Sequence, residues 1–142
     1  GADSLIDFDL DLAKRQSADN PVYYVQYAHA RICSILRGAA EQGWQRGAAD
    51  TGLLKQESER ALIRRLADFP DELAAAALLR EPHRVAVYLL DLAGLFHNFY
   101  TQCHCLVEDK PLMDARLNLA AASRLTLQRG LNALGVSAPE KM

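Results

Sequence analysis

Between Pro82 and Cys103, apolar side chains recur at Val85, Tyr88, Leu89, Leu92, Leu95, Phe96, Phe99 and Cys103, at intervals of three and four. That is the period of a helix with one wide buried side. It constrains the fold more than any other feature, because the same period runs through most of the chain. Pro21 and Pro111 stand where a first helical turn tolerates a missing N–H. The spacing predicts helices near 21–38, over Ser58 to Ala67, over Asp71 to Leu79 after Pro70, from Pro82 to about Cys103, and from Pro111 to a stop at Gly135. Gly38 to Gly52 carries four glycines around Trp44 and reads as a loop. Strand-like alternation is confined to Leu5–Leu12, where aspartates separate the apolar residues. No partner strand is evident, so an extended lead or short helix is expected there. The architecture implied is all-α, an antiparallel bundle of about five helices.

With 142 residues, half of them apolar, the chain is long enough for one domain with its own core. No apolar run approaches the length of a membrane span, and residues 1–12 hold four aspartates and no Lys or Arg, unlike a signal peptide. Three cysteines, an odd number, argue for reduced thiols and a cytoplasmic setting. A start at Gly1-Ala-Asp-Ser without methionine is expected of a piece of a longer protein. We divide the chain into an acidic lead, 1–19, and a helical domain, 20–142. The net charge of −2 disfavours a binder that grips nucleic acid through a global basic field. From Asn20 onward, though, acidic and basic residues nearly balance, so a local patch could still hold RNA.

Such a patch is legible in Asn20-Pro-Val-Tyr-Tyr-Val-Gln-Tyr-Ala-His-Ala-Arg-Ile-Cys-Ser-Ile-Leu-Arg37. On a helical wheel Val25, Ala28, His29, Ile32, Ile35 and Leu36 form the buried stripe, while Tyr24, Tyr27 and Arg31 share a neighbouring facet. Faces for stacking beside a planar cation suit unpaired nucleotides. Tyrosines at the rim of a core with their hydroxyls in water would give the same pattern, and the two readings weigh about equally. Tyr100 and His104, four apart on the long helix, form a similar pair. The tail Gly135-Val-Ser-Ala-Pro-Glu-Lys-Met142 suggests a segment folded back on the domain, with an adaptable thioether at its end.

Other chemistry finds little support. His97, Cys103, His104 and Cys105 are close in sequence, but no Cys-x-x-Cys pair exists, and buried unreactive thiols explain them better than a metal site. Arg60, Arg64 and Arg65 read as a solvated face. Asp7, Asp9 and Asp11 read as solvated carboxylates. There is no glycine-rich phosphate loop, Gly-x-Ser-x-Gly or His-Glu-x-x-His.

The segment Asp19 to Ile35 closely resembles the start of the C-terminal, DALR-type anticodon-binding domain of bacterial arginyl-tRNA synthetases. Phe8-Asp-Leu-Asp-Leu-Ala, Leu95-Phe-His-Asn-Phe-Tyr-Thr-Gln-Cys103, Arg124-Leu-Thr-Leu-Gln-Arg-Gly-Leu-Asn-Ala-Leu-Gly135 and Ala138-Pro-Glu-Lys-Met142 are similar in turn, in order across nearly the whole chain. The tail has Lys141 where the family pattern leads one to expect arginine, an exchange that loses a bidentate donor. The resemblance implies the anticodon-domain bundle of class I synthetases and a role in receiving the anticodon stem-loop of arginine tRNA. Carried over by position, the tRNA-binding residues are Tyr24, Tyr27, Arg31, Tyr100, His104 and Met142. The same resemblance implies an upstream catalytic domain that ligates arginine to tRNA with ATP and Mg²⁺. None of that chemistry, no cofactor and no catalytic residue is expected within these 142 residues, and no membrane is implied as a partner. Competing readings are a helical protein-interaction module, or the anticodon domain of another synthetase such as the cysteinyl or glycyl enzyme.

Overall fold

Asn20 starts the first helix by accepting the Val22 N–H on its side-chain oxygen at 2.9 Å, with Pro21 in the first turn. The computed structural model describes residues 20–142; the acidic lead, with its choice between strand-like and helical forms, lies outside the described residues. Helix α1 is Pro21–Glu41. After a short 3₁₀ turn at Thr51–Leu53 come α2 (Glu57–Ala67), α3 (Phe69–Leu79), α4 (His83–Gln102) and α5 (Lys110–Ala133), and no strand occurs among the described residues.

Two boundaries differ from the expectation by more than a residue. Helix α1 runs through Gly38 for a further turn, because Ala39 is buried against the core and its packing outweighs the roughly 1 kcal/mol that glycine costs inside a helix. Pro70 does not interrupt a helix but sits in the first turn of α3, which therefore begins at Phe69.

Three helices end in the same six-residue wrap. In α1 the Trp44 N–H reaches Ala39 O and Gly43 N–H reaches Ala40 O; in α5 Val136 reaches Leu131 and Gly135 reaches Asn132. In α3 Glu81 reaches Ala76 and Arg80 reaches Ala77. This is the Schellman ending, which needs a left-handed residue at its turning point. Gly43 and Gly135 take φ of 93° and 73°, but the third position is Arg80 at 54°. Arg80→Gly is therefore expected to stabilise the domain by about 0.5–1 kcal/mol, the relief of a Cβ clash less the extra entropy of an unfolded glycine. A urea titration reads the gain as a higher midpoint at unchanged slope.

Helix α4 lies at the centre. Its Tyr88, Leu89, Leu92, Phe96 and Phe99 are fully buried. Tyr88 donates its hydroxyl to Arg65 O at 2.7 Å while Ser58 Oγ lies 3.4 Å from Cys103 Sγ, so α2 runs antiparallel to α4. On another side Gly130 abuts Leu89, and the Arg116 guanidinium reaches His104 O at 2.7 Å, so α5 is antiparallel too. Arg65 corrects the reading of a solvated basic face. It bonds Asp91 at 2.8 Å and Asp68 at 3.1 Å, and its guanidinium sits 4.6 Å from the Tyr88 ring centroid. It thus ties α2 to α4. Arg60 and Arg64 are exposed.

Candidate nucleic-acid interface

Burying Val22, Val25, Ala28, His29 and Ile32 turns Tyr24, Tyr27 and Arg31 outward on α1. Tyr24 is 40% exposed and Tyr27 49%, among the few large side chains with apolar surface left in solvent. Arg31 leans over α4: its guanidinium carbon is 5.2 Å from the Tyr100 ring centroid, and its Nη1 is 3.4 Å from His97 Nδ1. The His97 ring in turn meets Tyr24 at 5.5 Å. Tyr100 lies nearly parallel to the buried Phe96 ring, 6.0 Å away at 15°, which fixes its orientation from below. Burial and the Arg31 charge hold the His97 pKa below its usual value, so its imidazole is neutral near pH 7 and Nδ1 accepts from Arg31.

The tail brings the remaining residue. After Gly135 the chain turns back and runs beside α1. The Gln26 amide donates to Ser137 O at 2.8 Å, His29 Nδ1–H to Pro139 O at 2.9 Å, and Arg37 to Glu140 O at 3.4 Å. Burial is the main cause that lowers the His29 pKa, so a neutral ring protonated at Nδ1 makes that bond. These bonds set Met142, 48% exposed, in a concavity of about 400 Å³ with Tyr27, Arg31, Arg37, Glu140 and Lys141. On the other side of Arg31, Tyr100, His104, Ile35 and Leu106 line a second concavity of about 610 Å³. Three cationic side chains, Arg31, Arg37 and Lys141, against the one carboxylate side chain of Glu140 give the first a basic lining beside the Tyr27 ring.

The structure therefore places Tyr24, Tyr27, Arg31, Tyr100, His104 and Met142 on one face. His104 does not share the long helix with Tyr100 as expected: α4 ends at Gln102 with Cys103 extended, and His104 follows in the turn, exposed, its carbonyl anchored by Arg116. Sequence reasoning missed His97, weighing it only as a metal ligand. Its position three residues before Tyr100 on one helical face was the available signal. It also missed Arg37 and Gln26, whose partners lie more than a hundred residues away. Cys103 and Cys105 are buried, and burial pushes the Cys105 thiol up to about 12, leaving it protonated. Among the described residues no three His, Cys, Asp or Glu side chains are grouped to hold a metal ion. No helix among them is long and apolar enough to cross a membrane.

Fold and face define a class of all-helical domain built to present rings and cations on one side. The DALR anticodon binding domain model matches residues 25–142, and the chain belongs to that family. It is 55% identical over 149 residues to an arginine–tRNA ligase of Heliobacterium modesticaldum, covering 100% of this chain and 26% of that protein. A second arginine–tRNA ligase, from Symbiobacterium thermophilum, is 57% identical over 143 residues, covering 99% and 26%. Among solved structures, Thermus thermophilus arginyl-tRNA synthetase superposes with a TM-score of 0.76 at 40% identity, over 96% of this chain and 24% of that one. The chain thus spans about a quarter of the length of these relatives.

Proposed function

We propose that this chain is the anticodon-binding part of an arginine–tRNA ligase, and that the Tyr24–Met142 face receives the anticodon stem-loop of arginine tRNA. The observation that carries this reading is the meeting of Arg31, Tyr27 and Met142 around one cationic concavity, with Tyr100 and His104 around its neighbour. An anticodon loop offers what such a face can use: bases free of a duplex and phosphates close by. Stacking on Tyr24 or Tyr27 is worth about 1–3 kcal/mol per base, while Tyr100, between Phe96 and the Arg31 guanidinium, supports the cation. Arg31 can pair with a phosphate or a base edge, which an opened loop exposes and a closed duplex hides. Arginine activation, with ATP and Mg²⁺, belongs in this proposal to a catalytic domain outside residues 20–142, in a cytoplasmic enzyme.

Arg31→Ala and Tyr27→Ala are each expected to weaken binding of a fluorescein-labelled arginine anticodon stem-loop about tenfold or more, with helicity unchanged. Arg31→Ala should also reduce the salt dependence of binding by about one phosphate contact. Fluorescence anisotropy at two salt concentrations measures both. Equal affinities for the original protein and the two variants would remove the site.

A further inference from the structure

We propose that His97 is a positioning residue of this RNA-binding face: its neutral imidazole accepts a hydrogen bond from Arg31 and holds the guanidinium across the Tyr100 ring. The inference rests on the reading of the face given above and adds a residue to it. An arginine on the surface of α1 has no reason to stay in one place, since its long side chain has many rotamers open to it. Two contacts oppose that freedom here. Tyr100 supplies a ring 5.2 Å from the guanidinium carbon, which attracts the cation but does not fix its in-plane rotation. His97 Nδ1, at 3.4 Å from Nη1, supplies the directional contact. The His97 ring is itself held, edge-on to Phe96 at 6.2 Å and tilted against Tyr24 at 5.5 Å. Thr101 donates its hydroxyl to the His97 carbonyl at 2.8 Å. The charged and titratable groups around the ring are Arg31 and Tyr24 from α1, with Tyr100 one turn further along α4. No carboxylate pairs with Arg31 in the structure's ion pairs among the described residues. An acceptor without charge suits this position, because a carboxylate there would neutralise the cation meant for RNA and repel phosphate.

The geometry separates this role from that of a histidine that touches RNA as a cation. A positioning histidine must be neutral, so acid removes its acceptor and sets a positive ring beside Arg31. A phosphate-binding histidine must be charged, so acid strengthens its contact. The test uses anisotropy with the arginine anticodon stem-loop and three variants. His97→Phe keeps a ring against Phe96 and Tyr24 but has no acceptor, and should weaken binding about tenfold. His97→Asn places an amide oxygen close to the Nδ1 position and should recover most of that loss. Because burial and the Arg31 charge lower the His97 pKa, the affinity of the original protein should fall relative to His97→Asn, which does not titrate, as pH drops below about 6.5. The positioning role is overturned if His97→Phe binds normally, if His97→Asn binds no better than His97→Phe, or if acid tightens binding relative to His97→Asn. Arg31→Ala is the third variant and keeps the two readings apart. Normal binding by both Arg31→Ala and Tyr27→Ala removes the face itself, normal binding by Arg31→Ala alone removes the roles of Arg31 and His97, and weak binding by Arg31→Ala with normal binding by His97→Phe removes only the role of His97. Thermal melts confirm that each variant is folded.

Discussion

Arg116→Met should destabilise the domain by about 3 kcal/mol, at the lower end of the 3–5 kcal/mol that follows when a buried ion pair loses one member. Arg116 Nε lies 2.8 Å from Glu59 Oε2, with side-chain exposures of only 11% and 1%. Methionine fills much of the arginine's volume but cannot donate, so Oε2 would be left in the interior without a partner. Oε1 still accepts the Gln56 N–H at 2.9 Å, closing the capping box of α2, which moderates the loss. The His104 carbonyl also loses its donor. Adding Glu59→Leu should restore most of the stability, less about 1 kcal/mol for the lost cap. Chemical denaturation of the two single variants and the double variant measures the coupling. If Arg116→Met alone shifts stability by less than about 1 kcal/mol, the pair is not the anchor it looks to be.

Phe96→Ala is expected to cost about 3–5 kcal/mol, the range for deleting an aromatic ring from a fully packed site. Phe96 has no exposed surface, and it meets Phe99 at 5.8 Å as well as His97 and Tyr100. Its loss should therefore reach the candidate interface. Tyr100 would lose the ring that backs it, and RNA affinity should fall even at temperatures where the variant is folded. Val87→Ala, on the exposed side of the same helix, is the control and should change stability by no more than about 0.5 kcal/mol. A small effect at Phe96, matching that control, would mean that the site collapses around the missing ring.

What could be read from the chain was local. The starts of α1 and α5 were visible in Asn20-Pro21 and in Pro111, because a first turn advertises itself within a few residues. The centre of α4 was visible in its apolar period. The facet of Tyr24, Tyr27 and Arg31 could be placed on α1 from angle alone. Features made by residues distant in sequence were hidden. Arg65 looked like a solvent-facing cation until Asp91 and Tyr88 came to it from another helix. Glu59 and Arg116 are separated by 57 positions, and nothing near either announces the other. His97 was judged beside its sequence neighbours, whereas its partners Tyr24 and Arg31 come from α1. The turn after Gly38 failed for a related reason: a glycine signals weakness in a helix, but whether the helix yields depends on what Ala39 touches.

Arg31 forms a wall common to both concavities. Shared walls make adjoining rooms hard to remodel one at a time. Over evolutionary drift, a substitution that reshaped one hollow would also have to be tolerated in the other. Divergence across this face should thus proceed by paired changes, one beside the carboxy-terminal tail and one at the end of α4, with the guanidinium itself the last element to be replaced.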